Sequence, residues 1–425
     1  MTTSSIESRV TSGRQWGVVI LLFLAVLINY VDRGNLSIVA VPLMKDFGIS
    51  PASMGTLLSA FFWTYSLMQI PVGWLVDRFG LKWTYAVAFL VWSLASAAVG
   101  LSTSFMQVLL FRLLLGVGEA VAQPASLAYI RQNFREDQRG LPTGIYLSGM
   151  MIGPAAGAFF GAVLLEQLGW RELFVYTGLG GCLWLLPWLL LAPGGNRPAA
   201  ARAGGQRTDW LRLLRSPAFW ALTIGPFFYS YYWYFCLTWV PSYLVLQYQM
   251  SFLKMGTYTA IPMLGMAVVS TVAAKLADRR IARGGNPIRV RRTFACTGFL
   301  VGASGLGLLW VRTAEGALAV LVCSLLGLGL AGANYWALTQ AISPASMIGR
   351  VVGYQNTVSN LAGVCAPILT GYLIGDTKDF RLAIWFAGLS LMIAAITYST
   401  LIRESAPAEF ASAVKPGALG TAVGR

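Results

Sequence analysis

The sequence predicts an all-α membrane protein of twelve transmembrane helices, arranged as two six-helix bundles that repeat in parallel, with the N- and C-termini cytoplasmic. Three observations carry that prediction. The chain of 425 residues is 56% hydrophobic and 11% charged, and apolar runs of about 20 residues recur from Trp16 almost to the C-terminus. Each run is long enough to cross a hydrocarbon core of roughly 30 Å. The basic residues are also one-sided: 23 of the 31 Lys and Arg fall in the termini and even-numbered connections or at the span ends beside them, six fall in the odd-numbered ones, and two lie well inside spans. By the positive-inside rule the basic side is cytoplasmic. The third observation is an internal echo, set out below. A net charge of +15 placed this way reflects topology and contact with anionic lipid, not nucleic-acid binding.

Taken in order, the first span, 16–38, is WGVVILLFLAVLINYVDRGNLSI, in which lipid-length apolarity ends on an acid and a base. Spans 2 to 6 are predicted at 52–75, 84–101, 105–126, 141–164 and 173–192. Helices are expected throughout because lipid offers the backbone no hydrogen-bond partners, and barrel strands would instead alternate in polarity over about 10 residues. Gly149, Gly153, Gly157 and Gly161 share one face of span 5 and mark it as a packing helix. The bundle 1–192 is followed by a linker, PGGNRPAAARAGGQRTDWLRLLRS (193–216), whose end, DWLRLLRS, has the pattern of a short surface helix. Spans 7 to 12 follow at 218–243, 254–276, 293–311, 316–340, 348–374 and 382–402, giving a second bundle 217–402 and a cytoplasmic tail 403–425. Span 7 carries the aromatic run YSYYWYF, and span 11 the small residues Gly363, Ala366 and Gly371 with Pro367.

The two halves echo one another. Met54, Gly55 and Thr56 recur 201 residues later as Met255, Gly256 and Thr257, and Asp77 and Arg78 recur as Asp278 and Arg279. Beyond the long connection DRRIARGGNPIRVRR the offset becomes 211, pairing Gly116 and Gly118 with Gly327 and Gly329. Six spans return the chain to its starting side, so the copies are parallel. Transporters built this way hold substrate near the midplane between halves.

Four charged residues remain well inside spans once topology is subtracted: Asp32, Arg33, Arg112 and Glu119, two acids and two bases, all in the first half. Intramembrane ionisable residues mark ion or substrate paths, the plainer reading being a neutralised ion cluster that joins spans 1 and 4. Arg112 and Glu119 stand seven apart on one face of span 4 and look toward span 1. With no histidine in the chain, the carboxylates Asp32 and Glu119 are the candidate proton carriers. The planar fork of Arg33 suits a substrate carboxylate, Arg112 is shared between acids and substrate, and Asp32 is expected to face Arg112. The positions matching Asp32, Arg33 and Glu119 in the second half are Trp233, Tyr234 and Leu330, so that half offers aromatics and amides instead: Trp336, Gln355, Asn356 and Asn360. The five cysteines have no metal or disulfide spacing and read as small core residues.

GWLVDRFGLKW (73–83) resembles the conserved loop of the major facilitator superfamily, and LADRR (276–280) its degenerate second copy. That resemblance implies a cytoplasmic latch at Asp77, Arg78 and Asp278; an ordinary charged turn is the plainer reading. NYVDRGNL, FFWTYSLMQIPVGWL, FRLLLGVGEA and SNLAGVCAP together resemble the anion:cation symporter family, which includes bacterial sugar-acid:proton symporters of the galactonate type. The similarity implies substrate contacts at Tyr30, Tyr65, Trp336 and Asn356, and agrees with the roles given above to the four charged residues. Where those symporters read SGQ in span 5 this chain reads SGM, so Met150 replaces an amide suited to sugar hydroxyls and allows a less hydroxylated or aromatic carboxylate.

The resulting expectation is a proton-coupled importer of an organic anion in a bacterial-type inner membrane. It would be monomeric, with no cofactor beyond the proton gradient and no nucleic-acid partner. A proton-coupled exporter of drugs or metabolites is the alternative, disfavoured by two cavity arginines. An enzyme would need a nucleophile or metal set that the sequence does not offer. A transporter-like receptor would need a signalling extension longer than 403–425.

Overall fold

A computed structural model describes residues 13–135, 138–193, 210–344 and 348–412. Among these residues the regular structure is helical. The long apolar runs become α1 (Gly13–Ile38), α3 (Pro51–Phe79), α4 (Leu81–Gly100), α7 (Gly140–Leu168), α11 (Pro217–Tyr248), α12 (Phe252–Ala282), α14 (Ala314–Ile342), α15 (Ile348–Ile374) and α16 (Arg381–Leu401). Short helices are α2 (Ala40–Phe47), α10 (Trp210–Arg215), within the predicted surface helix, and α17 (Ala406–Ser412). Among the described residues ten helical segments are long and apolar enough to cross a membrane. The α3 and α11 helices, 29 and 32 residues long, lie outside that set.

Three predicted spans are not single α-helices. The fourth is α5 (Phe105–Glu119) and α6 (Ala122–Asn133), and the sixth is α8 (Trp170–Cys182) and α9 (Leu185–Leu191). The cause is local. Pro124 and Pro187 sit third in α6 and α9, and a proline can neither bond to nor clear the carbonyl four residues back, here Ala120 and Leu183. The first break leaves Glu119 at a helix end. The second frees Trp184 to donate its Nε1 to the Leu21 carbonyl of α1 at 2.8 Å. The ninth span is α13 (Pro287–Gly302) followed by a 3₁₀ segment over Ala303–Leu309.

Helix starts repeat as the sequence does. Ser50 caps α3 by accepting from the Ser53 N–H, and 201 residues on Ser251 caps α12 by accepting from Lys254 N–H, both at 3.3 Å. A hydroxyl in this place satisfies one of the otherwise orphaned first-turn donors.

Small residues set the helix packing. The four glycines of α7 all face α1: a Cβ on Gly149 would meet Val26, on Gly153 Tyr30, on Gly157 Val31 and on Gly161 Asn35. The small residues of α15 face a different way, toward α3 in the other half of the chain. Gly371 lies against the Pro51 carbonyl, Gly55 of α3 against the Pro367 carbonyl, and Gly256 of α12 against Ala158 and Ala162 of α7. Glu166 of α7 accepts from the Leu253 N–H in the first turn of α12. The pairs α3 with α15 and α7 with α12 thus form a tight seam at one end of the molecule.

Candidate functional site

Gly116 builds the site. It lies against the Phe61 carbonyl and Thr64, so α3 and α5 approach closely enough for Thr64 to donate its hydroxyl to the Leu113 carbonyl at 2.6 Å. That approach brings Phe61 and Tyr65 of α3 beside Arg112 and Glu119 of α5, with Tyr30, Asp32 and Arg33 entering from α1.

The four intramembrane charges form one buried cluster. Glu119 is 0% exposed, Asp32 1% and Arg112 2%, and the Arg33 side chain is 9% exposed. Arg33 donates from Nε to Glu119 Oε2 at 2.8 Å. Its two Nη groups make no hydrogen bond among the described residues. Three rings enclose its guanidinium, with centroids at 4.4 Å (Tyr65), 4.6 Å (Phe61) and 4.9 Å (Tyr30). Asp32 lies beside Arg112 but makes no side-chain ion pair with it. Its Oδ1 accepts from Ser96 of α4 at 2.8 Å, while Arg112 Nη1 reaches the Asp32 backbone carbonyl at 3.4 Å. Asp32 and Arg33 thus serve different partners, Ser96 and Glu119, as helix neighbours that point about 100° apart. Asp32 Oδ2, Glu119 Oε1 and Arg112 Nε are buried without a hydrogen-bond partner. Buried polar atoms are ordinarily paired, so three bare ones in a single cluster are costly.

The second-half residues are more dispersed. Asn356 donates its amide to Gln69 of α3 at 3.3 Å, across the two halves. Gln355 is fully buried with both amide atoms unpartnered, and Asn360 is 7% exposed. Trp336 is half-buried and tilts against Tyr335, with ring centroids 5.3 Å apart. Met150 is half-buried against the apolar core of the first half. Tyr234, the repeat counterpart of Arg33, sets its ring edge-on to Phe62 at 4.6 Å. Of the predicted latch, Asp278 accepts from Arg291 at 2.7 Å, within the second half, and Arg78 lies over the Trp74 and Phe79 rings. The Asp77 side chain lies outside the described residues.

Phe61, Ser96 and Gln69 belong to this constellation and were not singled out from the sequence. An apolar span holds many such residues, and only the packing of α3 and α4 shows which ones meet a charge.

A helical bundle with paired charges buried at membrane depth is the arrangement of a membrane carrier. The family model described as Major Facilitator Superfamily matches residues 22–367, and the chain belongs to that superfamily. The D-galactonate transporter of Escherichia coli O6:H1 is 29% identical, over 92% of this chain and 96% of its own length. The Hexuronate transporter of Bacillus subtilis is 30% identical over 91% and 94%. The "Probable galactarate/D-glucarate transporter GudP" of Escherichia coli K12 is 30% identical over 94% and 96%. A bacterial homologue of the human lysosomal transporter Spinster, solved inward-facing and unoccupied, superposes with a TM-score of 0.80 at 20% identity. It covers 96% of this chain and 100% of its own and shares the fold. The chain is therefore a multi-pass inner-membrane transporter, and its family is one of transporters, not enzymes.

Proposed function

We propose that the chain imports an organic anion, a sugar acid or other carboxylate, together with protons by alternating access. In this reading twelve spans form the parallel bundles 1–192 and 217–402, with both termini cytoplasmic. One observation carries the reading: Arg33 gives a single N–H to Glu119 and keeps the two Nη groups of its fork unbonded, in a partly open aromatic box. A carboxylate can bind that fork without first displacing Glu119, and protonation of Glu119 then releases the guanidinium to the anion entirely.

Asp32 and Glu119 are the proton carriers in this scheme, each holding one oxygen free of partners. A proton added at Asp32 removes a buried charge that has no ion-pair partner, the expensive species in lipid, whereas a proton added at Glu119 opens its pair with Arg33 and leaves that guanidinium to the anion. Arg112 lends positive charge to both acids and to substrate. Tyr30, Tyr65, Met150, Trp336, Gln355, Asn356 and Asn360 form the walls, and Asn356 leaves Gln69 as the halves part. Asp77, Arg78 and Asp278 act as the cytoplasmic latch. The protein works as a monomer with the proton gradient as its driving force. The names of the relatives favour sugar acids, while Met150 favours a substrate with fewer hydroxyls.

Purified protein in liposomes with an imposed pH gradient, acid outside, is the test. D-galactonate, D-glucarate, D-glucuronate, succinate and benzoate form the panel. The native chain is expected to accumulate at least one of them. Glu119→Gln should exchange substrate but not concentrate it, and gradient-driven accumulation by that variant would refute the proton role. Arg33→Lys keeps the charge and loses the fork, so KM should rise about tenfold or more; an unchanged KM would remove Arg33 from the site.

A further inference from the structure

Phe61 is the only ring among the described residues that lies over both buried arginines. Its centroid is 4.6 Å from the Arg33 guanidinium carbon and 5.6 Å from that of Arg112, and the residue is 0% exposed. It cannot drift. Gly116 packs on its carbonyl, Tyr65 stacks on its face at 5.1 Å, and Phe62 meets its edge at 5.1 Å.

The two arginines need such a neighbour for a specific reason. They are like charges at short range, a guanidinium does not lose its proton on burial, and their protein anions are few. Arg33 has one carboxylate oxygen, while Arg112 has one long bond to a backbone carbonyl and an unpartnered Nε. In the proton-coupled scheme the anion leaves while Glu119 is still neutral, so for part of the cycle Arg33 has no anionic partner. A ring face is attractive to cations through its quadrupole and does not titrate. Its hold therefore survives the step that removes the carboxylate charge.

We infer that Phe61 is a positioning residue for anion capture: its ring holds the guanidinium groups of Arg33 and Arg112 in place while the neighbouring carboxylates carry protons, so that the substrate meets a preset fork. The inference rests on the proton-coupled anion reading above. The plainer role is packing alone, since Phe61 also belongs to the apolar core of the first half. The two roles separate under fluorination, which drains the ring face stepwise while nearly keeping its size.

The experiment places phenylalanine with one, two or three ring fluorines at position 61 of the full chain. The same series at Phe62 is the control, because that ring lies over neither arginine among the described residues. Two quantities are read: the thermal midpoint of the detergent-solubilised protein without substrate, and KM and Vmax for whichever of D-galactonate, D-glucarate and D-glucuronate the native chain accumulates best. At position 61 the midpoint should fall stepwise and KM should rise to about tenfold with three fluorines, with Vmax within about twofold. Both should stay flat at position 62. A flat series at position 61, or a falling midpoint with unchanged KM, would overturn the positioning role even if transport proceeds. A falling midpoint with no acid accumulated at all would instead overturn the anion reading, and the capture role of Phe61 with it.

Discussion

Each of the two buried acids keeps one oxygen paired and one bare, and the paired oxygens are served by quite different groups. Glu119 has a guanidinium, whereas Asp32 has only the Ser96 hydroxyl. Ser96→Ala therefore strips Asp32 of its one side-chain donor. A buried acceptor left without its partner costs about 1–3 kcal/mol, so the thermal midpoint of the variant should fall and Ser96→Thr, which keeps the hydroxyl, should restore it. Equal midpoints for native chain and alanine variant would show that the serine does not hold the acid. The charges themselves were legible in sequence because an Asp, Arg or Glu within an apolar run is conspicuous. Their partners were not. Which acid meets which base depends on the rotation of α1 against α4 and α5, and a serine or phenylalanine that completes the cluster resembles every other serine or phenylalanine in a span.

The helix elements carry a second consequence of local chemistry. Pro124 divides the fourth span so that α5 ends at Glu119, and α6 begins at Ala122. The carbonyls near the break lack their regular helical partners, so the protonatable side chain sits at a point where the backbone can rotate. Pro124→Ala returns an N–H to the Ala120 carbonyl and should fuse the two helices. A proline inside a helix costs roughly 3 kcal/mol, so the variant is expected to melt higher while its uptake falls several-fold. Undiminished uptake by a more stable variant would show that the break is incidental to transport. Hydropathy located this span within a few residues, since its length and apolarity are additive over the window. It missed the break because a proline three residues into the second helix leaves the apolar run continuous.

At the scale of the molecule, the seam between halves is made by Gly55, Gly371 and Gly256 against backbone and small side chains, with Glu166 on the start of α12. Closure at that end depends on near-contact of helix backbones. Gly55→Leu places a branched side chain against the Pro367 carbonyl and should hold α3 and α15 apart. In the proposed topology, with both termini cytoplasmic, this end faces outward, so a cysteine introduced at Ala52 should then react faster with an impermeant maleimide added outside intact cells, while uptake falls several-fold. An unchanged labelling rate would mean the seam tolerates the bulk. The repeat that predicts this architecture was readable because Gly55 and Gly256 stand at one offset, yet nothing in that offset shows that both end up facing the opposite half. The seam also distributes mutational constraint unevenly. Where a glycine touches a carbonyl, the carbonyl belongs to every amino acid, so only one member of the pair is chemically fixed. In a scan of all single substitutions, position 55 should reject nearly every side chain for steric reasons alone. Position 367 should be limited by what α15 itself demands and not by its partner across the seam. Drift between related carriers would then accumulate on one wall of the contact while the other stays glycine.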